Sequence, residues 1–310
     1  MHTHHSYSHS MCAPEYLIFS HMVSYSLVAP QWTDMIFVRA FFGALFITLL
    51  AAVVLLDAYS PDTSPWSHFA SSTKQRTGGV PFCEYDRSTR LLRERANSIS
   101  DFGFLAVGFY MLVRSIECET RSRSKETILS TMNGIANCAH AMGSWLNHAC
   151  RCQLGHRLDL TGMWLVISFL VLYSLTRRAQ IKTPLFTVVF VIIGYLLWLV
   201  SDVYYPESYE NREKTLTVLL AILFLLSEWN QMRSRSISRA QVRLLSLSVI
   251  TLAAGAICGH LDASKIVCSP HSWFQLHAVW HLCAACSIAA VYEYFRCEKA
   301  FSLARTDHCA

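Results

Sequence analysis

The sequence predicts an all-α polytopic membrane protein, and three observations carry that expectation. Of 310 residues, 53% are hydrophobic and only 15% are charged, whereas an ordinary soluble domain carries about 25% charged residues. So little charge cannot cover a water-facing surface, and the mean hydropathy of +0.31 agrees. The apolar residues are gathered into about eight runs, each near the length that crosses a bilayer. The basic residues fall in short clusters between those runs, as topology signals do. Within lipid every backbone group needs an internal partner, so runs of this length are helices. The net charge of +5 is modest, and there is neither a GxxxxGK[ST] motif nor a Gly-rich nucleotide loop. No nucleic-acid partner is expected.

In chain order, residues 1–34 form a His- and Ser-rich tail (His2, His4, His5, His9), a composition that reads as disordered. No basic n-region or small-residue cleavage site marks a signal peptide. The run Met35–Leu56 carries Arg39 as its single charge and predicts a first spanning helix over 35–57. Residues 58–96 hold Pro61, Pro65, Gly78, Gly79 and Pro81, so they read as a loop. It closes on Phe82-Cys83-Glu84-Tyr85-Asp86. Seven further spans follow within 97–297: about Asn97–Ser115, Thr127–His148, Leu160–Leu175, Pro184–Val203, Thr215–Trp229, Arg243–Gly259 and Ser272–Phe295. Residues 298–310 are left as a short tail.

The loops after the second, fourth and sixth spans carry Arg121, Arg123 and Lys125; Arg177, Arg178 and Lys182; and Arg233, Arg235 and Arg239. The opposite short loops carry fewer cations, which places both termini in the cytosol. His148 then ends the third span while His277 and His281 open the eighth, all toward the non-cytosolic side. The same topology puts Cys83 and Cys268 on that side, where a disulfide could persist. Cys138, Cys258, Cys283 and Cys286 lie inside apolar runs and read as small hydrophobes. Cys150-x-Cys152 is no recognised zinc or redox spacing.

His277-Ala-Val-Trp-His281 sets two imidazoles one helical turn apart on one face, and Ser144-x-x-x-His148 repeats that spacing. Three ligands with an open fourth position make a catalytic zinc site. Asp159, eleven residues beyond His148, could accept a proton or orient a ligand, and Ser144 could donate to an oxyanion. The rival reading is that these histidines hydrogen-bond across helices. His140, His156, His260 and His271 are read as structural or interfacial. Asp101, one turn from Asn97, joins either the site or the helix packing.

Gly143-Ser-Trp-Leu-Asn-His148, Leu158-Asp-Leu-Thr-Gly-Met-Trp164 and Gln275-Leu-His-Ala-Val-Trp-His281 resemble the alkaline ceramidases. These belong to a wider group of seven-helix hydrolases with the adiponectin and progestin receptors and the GPI-lipid remodelling proteins. The stretch from Phe82-Cys83-Glu84 to Asn97-Ser98-Ile99-Ser100 is similar to the segment that opens their first core helix. The resemblance runs from about Phe82 to Phe295. It implies a seven-helix ceramidase-like bundle, here with one extra N-terminal transmembrane helix. It implies a zinc ion on His148, His277 and His281, with Ser144 and Asp159 catalytic. It also implies a calcium ion held by the acidic segment, for which Glu84, Asp86, Glu94 and Asn97 are the candidates. Pro81 stands where those proteins have an acidic residue, and the Cys83–Glu94 interval is one residue shorter. The activity implied is hydrolysis of the N-acyl bond of ceramide to a sphingoid base and a fatty acid. The alternatives are another lipid hydrolase on the same scaffold, of GPI-lipid remodelling or acyl-ester type, or a non-catalytic membrane receptor. The expected partners are the substrate lipid and the bilayer, with no obligate protein partner evident. The expected location is a multi-pass protein of the endoplasmic reticulum or Golgi membrane.

Overall fold

The computed structural model describes residues 32–59, 65–66, 82–119, 124–179, 181–203, 210–234 and 237–306. The N-terminal tail expected over residues 1–34 lies almost entirely outside the described residues. The chain divides into two units, Met1–Phe41 and Phe42–Ala310. Of the first unit, the described part is the opening of helix α1, Trp32–Ala58.

The second unit is helical. It continues α1 and adds α2 (Arg95–Ser100), α3 (Phe102–Glu119), α4 (Ser124–Cys150), α5 (Gln153–Ala179), α6 (Thr183–Val203), α7 (Glu210–Ser234), α8 (Arg239–Ala263) and α9 (Leu276–Thr306). A turn at Asp101 separates α2 from α3, and the pair makes one span, Arg95–Ile116. Among the described residues seven helices are long and apolar enough to cross a membrane. The chain is therefore a multi-pass membrane protein. Helix α4 falls outside that set although it has 27 residues. Its buried face carries Asn133, Asn137, His140, Ser144, Asn147 and His148, and these polar side chains pull its hydropathy down.

Several helices run past their expected ends, α7 and α9 among them. α7 extends over Glu210–Ser234, because the polar residues flanking its apolar run contain no helix breaker. α9 continues to Thr306 for the same reason: Arg296 to Thr306 contains neither Gly nor Pro. α8 opens on a capping box, with Ser238 Oγ accepting from Gln241 N and Gln241 Oε1 accepting from Ser238 N, which satisfies two otherwise orphaned amides.

Helices α4 and α5 pack with their backbones almost touching. A Cβ on Gly143 would lie 2.6 Å from the Leu158 carbonyl carbon, and one on Gly162 would lie 2.6 Å from His140 Cα. Small residues at a membrane helix interface permit this approach, and it fixes the relative depth of the two helices. Gly162→Ala is expected to lower stability by about 1–3 kcal/mol through overpacking, read as a lower unfolding midpoint in detergent.

At the other end of the bundle sits an ion pair that solvation at a helix end does not explain. Glu228 is 1% exposed. It accepts from Ser174 Oγ at 2.5 Å, Arg177 Nη2 at 2.5 Å and Tyr294 Oη at 2.8 Å. The pair bridges α5, α7 and α9, as buried charges require. Around it Phe169, Phe186, Phe190, Phe224 and Phe295 form the largest apolar cluster.

Candidate metal centre

Four pieces of chain meet at one end of the bundle. α4 ends with His148, and its face repeats at four-residue steps: His140, Ser144, His148. α9 begins with His277 and His281 in its first two turns. The α2–α3 junction contributes Ser100 and Asp101. The second turn of α5 contributes Asp159.

The three imidazoles predicted as ligands come together. One ligand atom from each of His148, His277 and His281 lies within 4.8 Å of the other two. Ring centroids are 5.0 Å apart for His148–His277, 5.0 Å for His148–His281 and 4.5 Å for His277–His281. This group could hold a metal ion, and the hydrogen bonding prepares it to do so. His148 Nδ1 lies 2.6 Å from Glu94 Oε2, and a carboxylate there accepts from Nδ1–H. His281 Nδ1 lies 2.8 Å from Ser100 Oγ and 3.0 Å from Asp101 Oδ1. The single Ser100 proton already goes to the Asn97 carbonyl, so Oγ accepts from His281 Nδ1–H. Both contacts put the proton on Nδ1 and leave the lone pair on Nε2, the tautomer a metal needs. His148 Nε2 is buried with no hydrogen-bond partner, an orphan that a metal ion would satisfy.

The site is buttressed by the end of α8 and by the segments before α2 and α9. Asp262 at the end of α8 accepts from Cys83 N through Oδ2 at 3.1 Å and from His277 N through Oδ1 at 3.3 Å. The disulfide Cys83–Cys268 ties the same segment to the loop before α9, as the topology predicts. Phe82 then lies across the imidazoles, 3.9 Å from the His277 ring centroid and 5.1 Å from that of His148. A second disulfide joins Cys150 and Cys152, which the sequence reading did not anticipate.

Ser144 and Asp159 line a cavity of about 310 Å³ together with His140, Asn147, His277 and His281. Asp159 Oδ2 accepts from Asn147 Nδ2 at 2.9 Å, and Oδ1 faces His140 Nδ1 at 3.7 Å. The remaining lining is mainly apolar and comes from α5, α7, α8 and α9. α7 packs chiefly on α5, and α8 on α9. Leu225 of α7 and Val249 and Leu252 of α8 line the cavity and are also exposed, so it opens between α7 and α8 toward the bilayer.

The sequence reading singled out neither Ser100 nor Asn147, and it set His140 aside as structural. A signal for His140 was present in its four-residue step to Ser144. That Asn147 and His140 meet Asp159 was not legible, because it depends on how α4 meets α5. Converting both His281 partners, Ser100→Ala with Asp101→Asn, is expected to weaken metal binding about 10- to 100-fold, read by competition with a chromophoric chelator.

The candidates for a second cation lie just outside this centre. Glu84 accepts from Ala96 N at 2.6 Å and Asn97 N at 2.9 Å. Burial pushes its carboxyl up from 4.5 to about 7, against those two donors and with help from Glu94. A carboxyl raised in the fold favours the folded state most at low pH, and that contribution fades as pH rises from about 4.5 to about 7. Glu84→Gln is expected to flatten this part of the pH–stability curve, measured by thermal unfolding at stepped pH.

A search of curated proteins returns no match. A protein-family model described as Ceramidase matches residues 74–308.

Proposed function

Because the chain belongs to the ceramidase family, we propose that it is a zinc-dependent amidase of the membrane, cleaving the N-acyl bond of ceramide to a sphingoid base and a fatty acid. The observation that carries this reading is the orphaned Nε2 of His148 beside His277 and His281, at the polar end of an apolar cavity. Residues 97–297 would be the catalytic core.

His148, His277 and His281 would hold the ion. A zinc ion there supplies a Lewis acid for the amide carbonyl and lowers the pKa of water toward about 7. Asp159, fixed by Asn147, takes a proton from the attacking water and passes it to the departing nitrogen as the C–N bond breaks. Ser144 donates a hydrogen bond to the carbonyl oxygen as negative charge develops there. The apolar walls receive hydrocarbon chains, and the gap between α7 and α8 admits the lipid sideways. Val249→Trp in that gap is expected to raise KM for a long-chain substrate more than it lowers kcat. Equal changes for short and long chains would argue against lateral entry.

Two disulfides at the metal end agree with a non-cytosolic face, since such bonds persist in oxidising compartments. The placement proposed is therefore the endoplasmic reticulum or Golgi membrane, with the site facing the lumen and the termini cytosolic. Protease protection of a C-terminal tag in intact vesicles would contradict it.

The deciding experiment incubates purified protein with fluorescent ceramide, a fluorescent acyl ester and a GPI-lipid, each with and without chelator and after adding zinc back. Ceramide turnover that chelator removes and zinc restores supports the reading. Turnover of the acyl ester or GPI-lipid alone would move the chain to another hydrolase class. Turnover unaffected by chelator would remove the metal from the mechanism.

A further inference from the structure

The resemblance implies a calcium ion bound by the acidic segment ahead of α2, and the side chains there do not fit one. Calcium takes six to eight oxygens at 2.3–2.6 Å. Both oxygens of Glu84 are taken by the amides of Ala96 and Asn97. Both oxygens of Asp86 are taken by Arg93, with Nε on Oδ1 at 2.8 Å and Nη2 on Oδ2 at 2.5 Å. Glu94 Oε2 faces His148 Nδ1, and Oε1 makes an ion pair with Arg151 Nη1 at 3.3 Å. The same Arg151 nitrogen reaches Asp86 Oδ2 at 3.4 Å. Among the candidate ligands, Asn97 Oδ1 alone is buried with neither a hydrogen bond nor an ion pair. Two guanidinium groups, which only donate and do not deprotonate, stand among the carboxylates.

Arg151 sits at an unusual place in the backbone. Its φ is +51°, just after the end of α4, where its amide donates to the Asn147 carbonyl at 2.9 Å. That left-handed position at a helix end is usually given to glycine. Here it carries the side chain that bridges Asp86 and Glu94. Arg93 is anchored against the same helix end, its amide on the Ala149 carbonyl and its Nη1 on the Cys150 carbonyl, both at 3.2 Å. The two arginines are thus held by α4 itself, the helix that presents His148.

We propose that Arg93 and Arg151 are a built-in substitute for the calcium ion, and that Arg151 acts through Glu94 to position His148 for its metal. Two fixed positive charges do the neutralising work of one divalent cation. Arg151 and Glu94 are positioning residues, and neither touches the reacting atoms. The calcium half stands alone, and the positioning half rests on the zinc centre proposed above.

The test has two arms, both on the full chain in detergent. In the first, zinc-loaded protein is dialysed against radioactive calcium at about 1 mM, a level that fills even weak calcium modules. The expected result is no bound calcium and an unchanged unfolding midpoint. Saturable binding that raises the midpoint would overturn the substitution. In the second, zinc affinity is measured by chelator competition for wild type, Arg151→Gln and Arg151→Lys. The Gln variant is expected to bind zinc about 10- to 100-fold more weakly, and the Lys variant, which keeps the charge, to recover much of the loss. Zinc affinity in Arg151→Gln equal to wild type would overturn the positioning role. If Arg151→Gln does not fold, the neutral Arg151→Met takes its place in the same comparison: a loss of zinc affinity of about 10- to 100-fold supports the positioning role, and affinity equal to wild type overturns it. Wild type that binds no zinc would sink the zinc reading and this second half with it, and would leave the calcium arm readable.

Discussion

His281→Ala is expected to abolish metal retention and to cut ceramide turnover by well over 100-fold. Changing a residue that only orients a ligand costs about 10- to 100-fold in metal affinity or activity, so loss of the ligand itself must cost more. Two groups also lose a contact, although Ser100 Oγ keeps its bond to the Asn97 carbonyl. Ser100 Oγ and Asp101 Oδ1 lie 2.8 and 3.0 Å from His281 Nδ1, and the buried Asp101 would lose its imidazole partner. A buried carboxylate without a partner is costly, so some loss of stability should accompany the loss of metal. Elemental analysis of the purified variant, beside its unfolding midpoint and its turnover of fluorescent ceramide, separates the two effects. A variant that folds, binds no zinc and keeps full turnover would sink the zinc mechanism.

Asp159→Asn should produce the complementary pattern: zinc retained and kcat lower by about 100- to 10,000-fold, the range for removing a positioned general base. The amide keeps the shape of the carboxylate and can still meet Asn147 through its own oxygen, so folding should be spared. What it cannot do is take up a proton. The rate against pH carries the diagnosis. The limb that reports deprotonation of the base should disappear in the variant, while any limb set by the metal site remains. Loss of zinc in Asp159→Asn, measured on the same preparation, would instead make Asp159 part of the metal's support.

Some of this was written in local pattern. The four-residue steps His277 to His281 and Ser144 to His148 name one face of a helix whatever surrounds it. Counting cations between apolar runs put those faces at one membrane depth. The same count put Cys83 and Cys268 on one side of the membrane, and the structure joins them. α4 was legible by its length and less so by composition, because its polar face lowers the hydropathy that marks a span. Glu94 shows the other side. The family resemblance made it a candidate calcium ligand, but its partner is His148, 54 residues away. No spacing rule reaches that far. Glu228 likewise meets Arg177 and Tyr294 only across other helices.

By itself, then, the sequence determined the helical membrane class, the order of the spans and three histidines on matched ends. Those follow from hydropathy, helical period and charge bias, each a property of short stretches. Only the tertiary structure decided which nitrogen His148 and His281 leave for a metal, which residues hold Asp159, and that arginines stand among the acidic side chains beside the site. Those depend on distances of a few ångströms between helices. They are set by contacts such as Gly143 against Leu158 and Arg151 against Glu94, which exist only once the bundle has closed.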